Sequence, residues 1–110
     1  NLDMVGDANL EIYIERISYK QNPSLVLDLW GLAEELKLSG FKKMAKYSIF
    51  DDHVPLYELA GIPAVDIIDF DYPDEKTNYH HTYNDIVENC SPESLRQVGT
   101  LMVHHIYNQQ

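Results

Sequence analysis

The alternation of strand and helix patterns constrains this chain of 110 residues more than any other feature of it. Four segments have the apolar alternation or β-branched content of strands: residues 1–6, 10–17, 44–50 and 62–70. Three segments have the apolar spacing of helices: residues 23–40, 54–60 and 92–110. Strands that alternate with helices predict an α/β fold built in layers, with residues 1–110 as a single domain.

Two of the helices have clear start signals. Asn22 and Ser91 are N-cap residues, and each precedes a proline at the first helical position. Glu93 adds an acid that faces the positive end of the helix dipole. We expect Gly40 to end the first long helix, because glycine is common directly after a helix.

Composition excludes some classes of function. Hydrophobic residues make up 45% of the chain, which is a globular composition, and the formal net charge is -10. Phosphate binding needs a basic face, so we expect no nucleic-acid partner for so acidic a protein. The charge suits a site that attracts metal ions or amines. No apolar run approaches the roughly 18 residues of a membrane span, and no signal peptide is visible.

The first residues suggest a piece of a larger protein, and the single cysteine suggests a structural thiol. Residues 1–6 have the pattern of the middle of a buried strand, so we expect a fragment or a processed piece. Cys90 has no second cysteine to pair with inside the chain, and we expect a buried or half-buried structural thiol.

Acidic and imidazole side chains lie within or after three of the predicted strands. They are Asp3, Asp51, Asp52, His53, His80 and His81. In open α/β sheets, sites lie beyond the carboxyl ends of the strands, so these side chains are expected at one rim. Zinc takes carboxylate and imidazole ligands, which makes Asp3 and His81 the predicted metal ligands. A catalytic zinc usually has three protein ligands, so this pair is one short.

The neighbours of these ligands have alternative interpretations. Either Asp51 or Asp52 enters the site while the other caps the next helix, or both only cap it. His53 orients a carboxylate or packs against the following proline. Residues 71–87 form a long loop, typical of functional segments. Its tyrosines, Tyr72, Tyr79 and Tyr83, either line a substrate pocket or are simply an adhesive surface. On the last helix we expect His105 in the core and His104 in solvent.

Five motifs occur in order along nearly the whole chain. They are residues 1–6 (NLDMVG), 51–56 (DDHVPL), 60–69 (AGIPAVDIID), 79–82 (YHHT) with Asp85, and 90–95 (CSPESL). In order and spacing they resemble the C-terminal half of the family 28 zinc metallopeptidases and the related glutaminyl cyclases. The resemblance implies a three-layer α/β sandwich with a mixed β-sheet, present only as its C-terminal half.

The resemblance also implies roles for individual residues. Asp3 matches a zinc ligand of the two-zinc aminopeptidases and a substrate-side acid of the one-zinc cyclases, and His81 matches the last zinc-binding histidine. Asp51 matches a catalytic acid in the proton relay of cyclases. Asp52, Tyr79 and His80 are the predicted substrate-binding residues; His80 stands where those enzymes often carry tryptophan.

Three functions remain open from the sequence. The first is a fragment of a zinc aminopeptidase acting on peptide N-termini, with one or two zinc ions in the parent protein. The second is a fragment of a glutaminyl-peptide cyclotransferase, and the third is a non-enzymatic α/β module. The family's earlier histidine and aspartate and its Glu-Glu pair would lie before residue 1, so we expect these residues alone to be inactive. We also expect self-association through uncovered apolar edges. By resemblance, the location is secreted or periplasmic.

Overall fold

The computed structural model of the protein describes residues 1–108. The elements in chain order are β1 (Leu2–Asp3), β2 (Ile12–Ile14), α1 (Arg16–Gln21), α2 (Pro23–Glu35), β3 (Phe41–Ala45), α3 (His53–Ala60), β4 (Ile67–Ile68), a 3₁₀ turn (Val87–Asn89) and α4 (Pro92–Tyr107). The predicted α/β class is confirmed. None of the helices within residues 1–108 has the length and apolar character needed to span a bilayer.

The strands pair in parallel. β1 lies beside β4, with Leu2 opposite Ile67 and Asp3 opposite Ile68. β2 pairs with β3, and β2 also contacts β4, so the strand pairs lie next to each other. Because the strands of a parallel pair end at the same edge, Asp3 and the residues that follow β4 emerge at one rim.

The core lies between these strands and the helices α2 and α4, which also contact each other. The buried side chains that form it are Leu10, Ile12, Ile14, Val26, Leu29, Trp30, Val65, Ile67 and Val98. The rings of Trp30 and Phe41 meet edge to face, with centroids 5.8 Å apart. The core therefore holds the long helices on one side of the strands.

The start signals of the helices are confirmed at α2 and α4. Pro23 and Pro92 occupy the first turns, and the hydroxyl of Ser91 accepts a hydrogen bond from the Ser94 amide at 3.2 Å. The side chain of Asn22 does not cap α2; its amide donates instead to the carbonyl of Ala64 at 3.0 Å. Helix α4 ends at Tyr107, and residues 109–110 of the predicted helix lie outside the described part of the chain.

The predicted strand at residues 44–50 is wrong in its position. The strand is Phe41–Ala45, and residues 46–50 are irregular. Its pairing with β2 shifts register after Tyr13, and the amide of Arg16 binds the carbonyl of Tyr47 at 2.7 Å. β3 carries the half-buried Lys42 and the exposed Lys43, so apolar alternation does not mark it.

The predicted strand at residues 10–17 is too long. It ends at Ile14, because the carboxylate of Glu15 accepts hydrogen bonds from the amides of Ile17 and Ser18 and so starts α1. The strand predicted at residues 62–70 is likewise reduced to Ile67–Ile68. The segment predicted at residues 1–6 is a strand only at Leu2–Asp3, and both of these residues are exposed.

Two smaller expectations are also corrected. Helix α2 ends at Glu35, so Gly40 does not end it. A Cβ atom on Gly40 would lie 2.5 Å from Cδ2 of Leu10, which explains the glycine by close packing. His105 is half-buried rather than in the core, and Val98 and Leu101 are the buried apolar residues of α4.

Candidate functional site

The structure brings the carboxyl groups of Asp3 and Asp51 together. Asp3 lies at the end of β1, and Asp51 directly precedes the first turn of α3. Although Asp3 as a whole is exposed, neighbouring atoms partly desolvate its carboxyl group and raise its pKa; a hydrogen bond with Asp51 and the charge of that group raise it further. Two carboxyl groups that meet in this way favour either a shared proton or a bound cation between them.

His80 and His81 lie at the same rim. The charge of His80 acts on Asp3 and lowers its pKa, opposing the effect of Asp51. The rings of His80 and His81 are stacked, with centroids 3.6 Å apart and planes 28° from parallel. The predicted ligands Asp3 and His81 are therefore connected through His80, and their roles as ligands stay a prediction.

Turns shape the loop that carries these histidines. The amide of His80 donates to the side-chain oxygen of Asn78 at 2.8 Å, and the hydroxyl of Thr82 donates to the carbonyl of Tyr79 at 2.6 Å. His81 has a φ of 59°, in the left-handed region. Tyr79 packs edge to face on the buried Tyr72, with centroids 5.5 Å apart. The loop is thus anchored by its aromatic side chains while His81 faces solvent.

Asp52, a predicted substrate-binding residue, lies at the start of α3. Asp52 is exposed and occupies the N-cap position of α3, but its side chain makes no capping hydrogen bond. Its amide donates to Oδ1 of Asp51 at 2.8 Å, which helps to orient that carboxylate.

The tyrosines of the loop differ in exposure. Tyr83 is fully exposed and does not line a pocket wall, whereas Tyr79 is half-buried.

A cavity of about 200 Å³ opens beside Asp3. Its lining residues are Asp3, Met4, Gly6, Asp7, Tyr72, Asp85 and Cys90. Burial raises the pKa of Tyr72, and the neighbouring Asp85 raises it further, so the phenol keeps its proton. The three carboxylates and the phenol make this cavity suitable for a small cationic or hydrogen-bonding group.

The residues fit zinc by chemical type but do not complete a site. Asp3 and His81 offer oxygen and nitrogen donors, and a cation beside Asp3 would offset the repulsion from Asp51. Within residues 1–108, no three Asp, Glu, His or Cys side chains are grouped closely enough to hold a metal ion. Asp3 and His81 alone are fewer than the three protein ligands that a catalytic zinc usually takes.

Sequence reasoning missed several buried charged groups behind the rim. Glu15 is only 2% exposed, and Asp66 and Asp69 are fully buried. Burial raises the pKa of Asp66 to about 6 and that of Asp69 to about 8. A usable signal was present, because acids inside the apolar run at residues 62–70 must find partners if that run is buried.

His53 is buried as well, and it contacts one of these acids. Its Nε2 lies 2.8 Å from Oε1 of Glu15, so the expectation that His53 orients a carboxylate is met by Glu15. Burial raises the pKa of Glu15, but hydrogen bonds donated by Ile49 and residues of α1 outweigh it and hold the pKa below its usual value. Glu15 is therefore an ionised acceptor for His53.

Solved structures similar to this chain are zinc-dependent exopeptidases and glutaminyl cyclases. A glutaminyl cyclase from Porphyromonas gingivalis is 29% identical, with a TM-score of 0.90 over 99% of this chain and 41% of that chain. A Zn-dependent exopeptidase from Parabacteroides distasonis is 35% identical, with a TM-score of 0.89 over 97% of this chain and 38% of that one. A leucine aminopeptidase precursor from Bacteroides thetaiotaomicron is 29% identical, with a TM-score of 0.90 over 99% of this chain and 37% of that one.

The chain thus spans well under half the length of these structures. No protein of curated function matches it. The chain matches peptidase family M28 over residues 1–106, which is nearly its whole length. With that match and the shared fold, this protein belongs to peptidase family M28.

Proposed function

We propose that this chain is part of a zinc-dependent aminopeptidase that removes N-terminal residues from peptides. The observation that carries the proposal is the carboxyl pair of Asp3 and Asp51 beside the stacked rings of His80 and His81. The similarity to exopeptidases and to a leucine aminopeptidase precursor supports this reaction class. The net charge of -10 favours substrates that present a free ammonium group.

Each residue of the rim has a distinct role in this proposal. Asp3 and His81 hold zinc, which when bound polarises the scissile carbonyl. Asp51 is the catalytic acid beside Asp3, and its carboxyl group raises the pKa of Asp3. Tyr79 and His80 form the aromatic wall towards the substrate. Asp52 lies at the exposed start of α3, where it can attract the cationic end of a peptide.

The chain alone is expected to be inactive. A catalytic zinc takes three protein ligands, and Asp3 and His81 account for two of them. A general base is also required to activate water. Both remaining groups would have to come from outside these 110 residues.

The second candidate is a glutaminyl-peptide cyclotransferase, which forms N-terminal pyroglutamate with one zinc ion. Two observations favour it: the carboxyl pair of Asp3 and Asp51, and the similarity to a glutaminyl cyclase at a TM-score of 0.90. A proton moving between two carboxyl groups suits a reaction in which an amine attacks an amide of the same residue. A non-enzymatic module is the third outcome.

The test compares both reactions in the longest natural polypeptide that contains these residues. Aminoacyl-anilide hydrolysis and cyclisation of glutaminyl substrates are measured on the same preparation, with zinc content determined by mass spectrometry. Hydrolysis with one or two zinc ions supports the aminopeptidase, and cyclisation with one zinc supports the cyclase. If neither reaction occurs with zinc supplied, the non-enzymatic module replaces both.

Zinc binding can also be tested without activity. Titration calorimetry on the 110-residue protein should give weaker zinc binding for His81→Ala than for His104→Ala, an exposed histidine on α4 that serves as the control. We expect the loss at His81 to be at least about tenfold in affinity. Equal affinities of the two variants would remove His81 from the proposed ligand set.

Self-association also remains a proposal. Leu2 of β1 is 48% exposed and Ile62 is 51% exposed, and both line an apolar groove of about 300 Å³. An exposed strand edge beside apolar surface favours pairing with a second copy. Analytical ultracentrifugation should find dimers at high concentration, and a clean monomer would count against this.

A further inference from the structure

A buried network lies between the strand that carries Asp3 and the segment that carries Asp51. His53 is fully buried, and its two ring nitrogens face two buried acids, Glu15 and Asp66. Nε2 lies 2.8 Å from Oε1 of Glu15, whereas Nδ1 lies 3.8 Å from Oδ2 of Asp66. A buried polar network of this kind is costly to form and is well suited to fixing a single arrangement of the chain.

Glu15 holds the Asp51 segment on both of its sides. Its Oε2 accepts a hydrogen bond from the amide of Ile49 at 2.9 Å, two residues before Asp51. Its Oε1 binds Nε2 of His53, two residues after Asp51. One carboxylate therefore fixes both ends of the short irregular segment in between.

Asp66 connects the same histidine to the strand that carries Asp3. Its Oδ1 accepts a hydrogen bond from the side-chain amide of Asn1 at 2.9 Å. The amide of Ile67, the next residue, donates to the carbonyl of Asn1 at 2.8 Å. Asn1 is two residues before Asp3, so this contact sets the position of β1 relative to His53.

We infer that His53, held by Glu15 at Nε2 and facing Asp66 at Nδ1, is a positioning residue that keeps Asp51 against Asp3. This inference rests on the proposed function, because the pair matters only if Asp51 acts in the reaction. His53 itself touches neither Asp3 nor the cavity beside it, and it acts through the segment that carries Asp51.

Two substitutions at His53 separate positioning from simple packing. In His53→Leu the bulk remains but the donor to Glu15 is lost, while Glu15 still caps α1 through Ile17 and Ser18. In His53→Gln a side-chain amide can donate to Glu15 from a similar position. Val26→Ala, which opens a cavity at a fully buried site in α2, is the control for general destabilisation.

The first readout is amide hydrogen exchange in the 110-residue protein, measured by NMR, and it needs no activity. The informative amides are Ile49, which donates to Glu15, and Val54, which donates to the carbonyl of Asp51 at 3.0 Å. For His53→Leu we expect exchange at both to rise at least about tenfold relative to the amide of Val98 in α4. His53→Gln should return the exchange rates of both amides to within about threefold of those in the parent protein.

The second readout is the kinetic effect in the active polypeptide. We expect His53→Leu to lower kcat with KM little changed, and His53→Gln to recover most of kcat. If the parent has no activity, the proposed function fails, and the exchange rates still decide the positioning role. The inference is overturned if His53→Leu resembles Val26→Ala, with exchange raised evenly across the core.

Discussion

Asp7 and Asp69 form a buried pair of carboxyl groups in which each affects the ionisation of the other. Burial raises the pKa of both groups, and the carboxyl of Asp7 contributes to raising the pKa of Asp69 to about 8. Ionising both carboxyl groups at once is therefore unfavourable, because neither acid has a basic partner in these contacts.

This pair predicts a stability that depends on pH. The pKa of Asp69 is about 8 in the folded state, against 3.8 for an unperturbed group. A raised acid pKa stabilises the folded state at low pH, and this contribution declines as the pH rises towards 8. Asp7→Asn removes the negative charge that raises the pKa of Asp69, and its side-chain amide can donate a hydrogen bond to Asp69. The stability of this variant should therefore decline less with rising pH than that of the parent protein. Urea unfolding, monitored by the fluorescence of Trp30 from pH 5 to 9, measures the decline in the free energy of unfolding for both proteins.

The control for this prediction is Asp28→Asn, on the exposed side of α2. It should follow the pH profile of the parent protein. If Asp7→Asn also keeps that profile, the two acids do not share a proton.

A second prediction concerns the rim itself. Partial desolvation is the largest cause of the raised pKa of Asp3, and Asp51 is the next. Asp51→Asn should therefore lower the pKa of Asp3 part of the way to its usual value. Carbon-13 NMR of the side-chain carboxyl measures this shift, with Asp52→Asn as the control because Asp52 is exposed. An unchanged Asp3 in the Asp51 variant would mean that the two side chains do not meet in solution.

Two glycines are predicted to respond to alanine with opposite signs. A Cβ on Gly40 would meet Leu10 at 2.5 Å and Oε1 of Gln97 at 2.9 Å, and both partners are buried. We expect Gly40→Ala to lower the free energy of unfolding by about 1–3 kcal/mol. Gly31, inside α2, has nothing within 4 Å of such an atom, so Gly31→Ala should raise it by about 0.5–1 kcal/mol. Thermal unfolding of both variants gives the signs, and a stable Gly40→Ala would show that Leu10 moves aside freely.

The ion pair of Lys46 and Asp71 provides a fourth prediction. Nζ of Lys46 lies 2.6 Å from Oδ2 of Asp71, which is almost fully buried, and the hydroxyl of Tyr47 also donates to this carboxylate. Lys46→Met leaves a buried carboxylate with one donor fewer, so its melting temperature should fall more than that of Lys43→Met. Lys43 pairs with the exposed Glu34 at 3.5 Å and is the matched control. Equal melting temperatures of the two variants would indicate that water replaces the ammonium group of Lys46 beside Asp71 with no loss of stability.

Sequence patterns located the helices better than the strands, for a physical reason. The prolines at the first turns of α2 and α4 act locally, so their signals can be read from the chain alone. The exposed strand Phe41–Ala45 exists because it pairs with β2, and only the folded structure provides that partner. The charged residues Lys42 and Lys43 hide it from any search for apolar alternation.

The residues of the candidate site likewise differ in whether a local sequence pattern reveals them. Asp3 lies in a predicted strand and Asp51 follows another, and the structure brings their carboxyl groups together at one rim. The strand pattern puts Glu15 on its polar side, yet this residue is buried and holds the segment before α3. Its role depends on Ile49 and His53, which are distant in sequence, so no local pattern could reveal it.

The backbone of residues 6–8 is joined to that of residues 89–91. Ala8 donates to the carbonyl of Asn89 at 3.0 Å, and Ser91 donates to that of Gly6 at 2.9 Å. These bonds fasten the end of the histidine-bearing loop to the residues that follow β1, while residues 74–77 of the same loop are exposed. Substitutions or insertions at residues 74–77 can therefore change what this part of the loop contacts. They leave the backbone bonds between residues 6–8 and 89–91 unchanged.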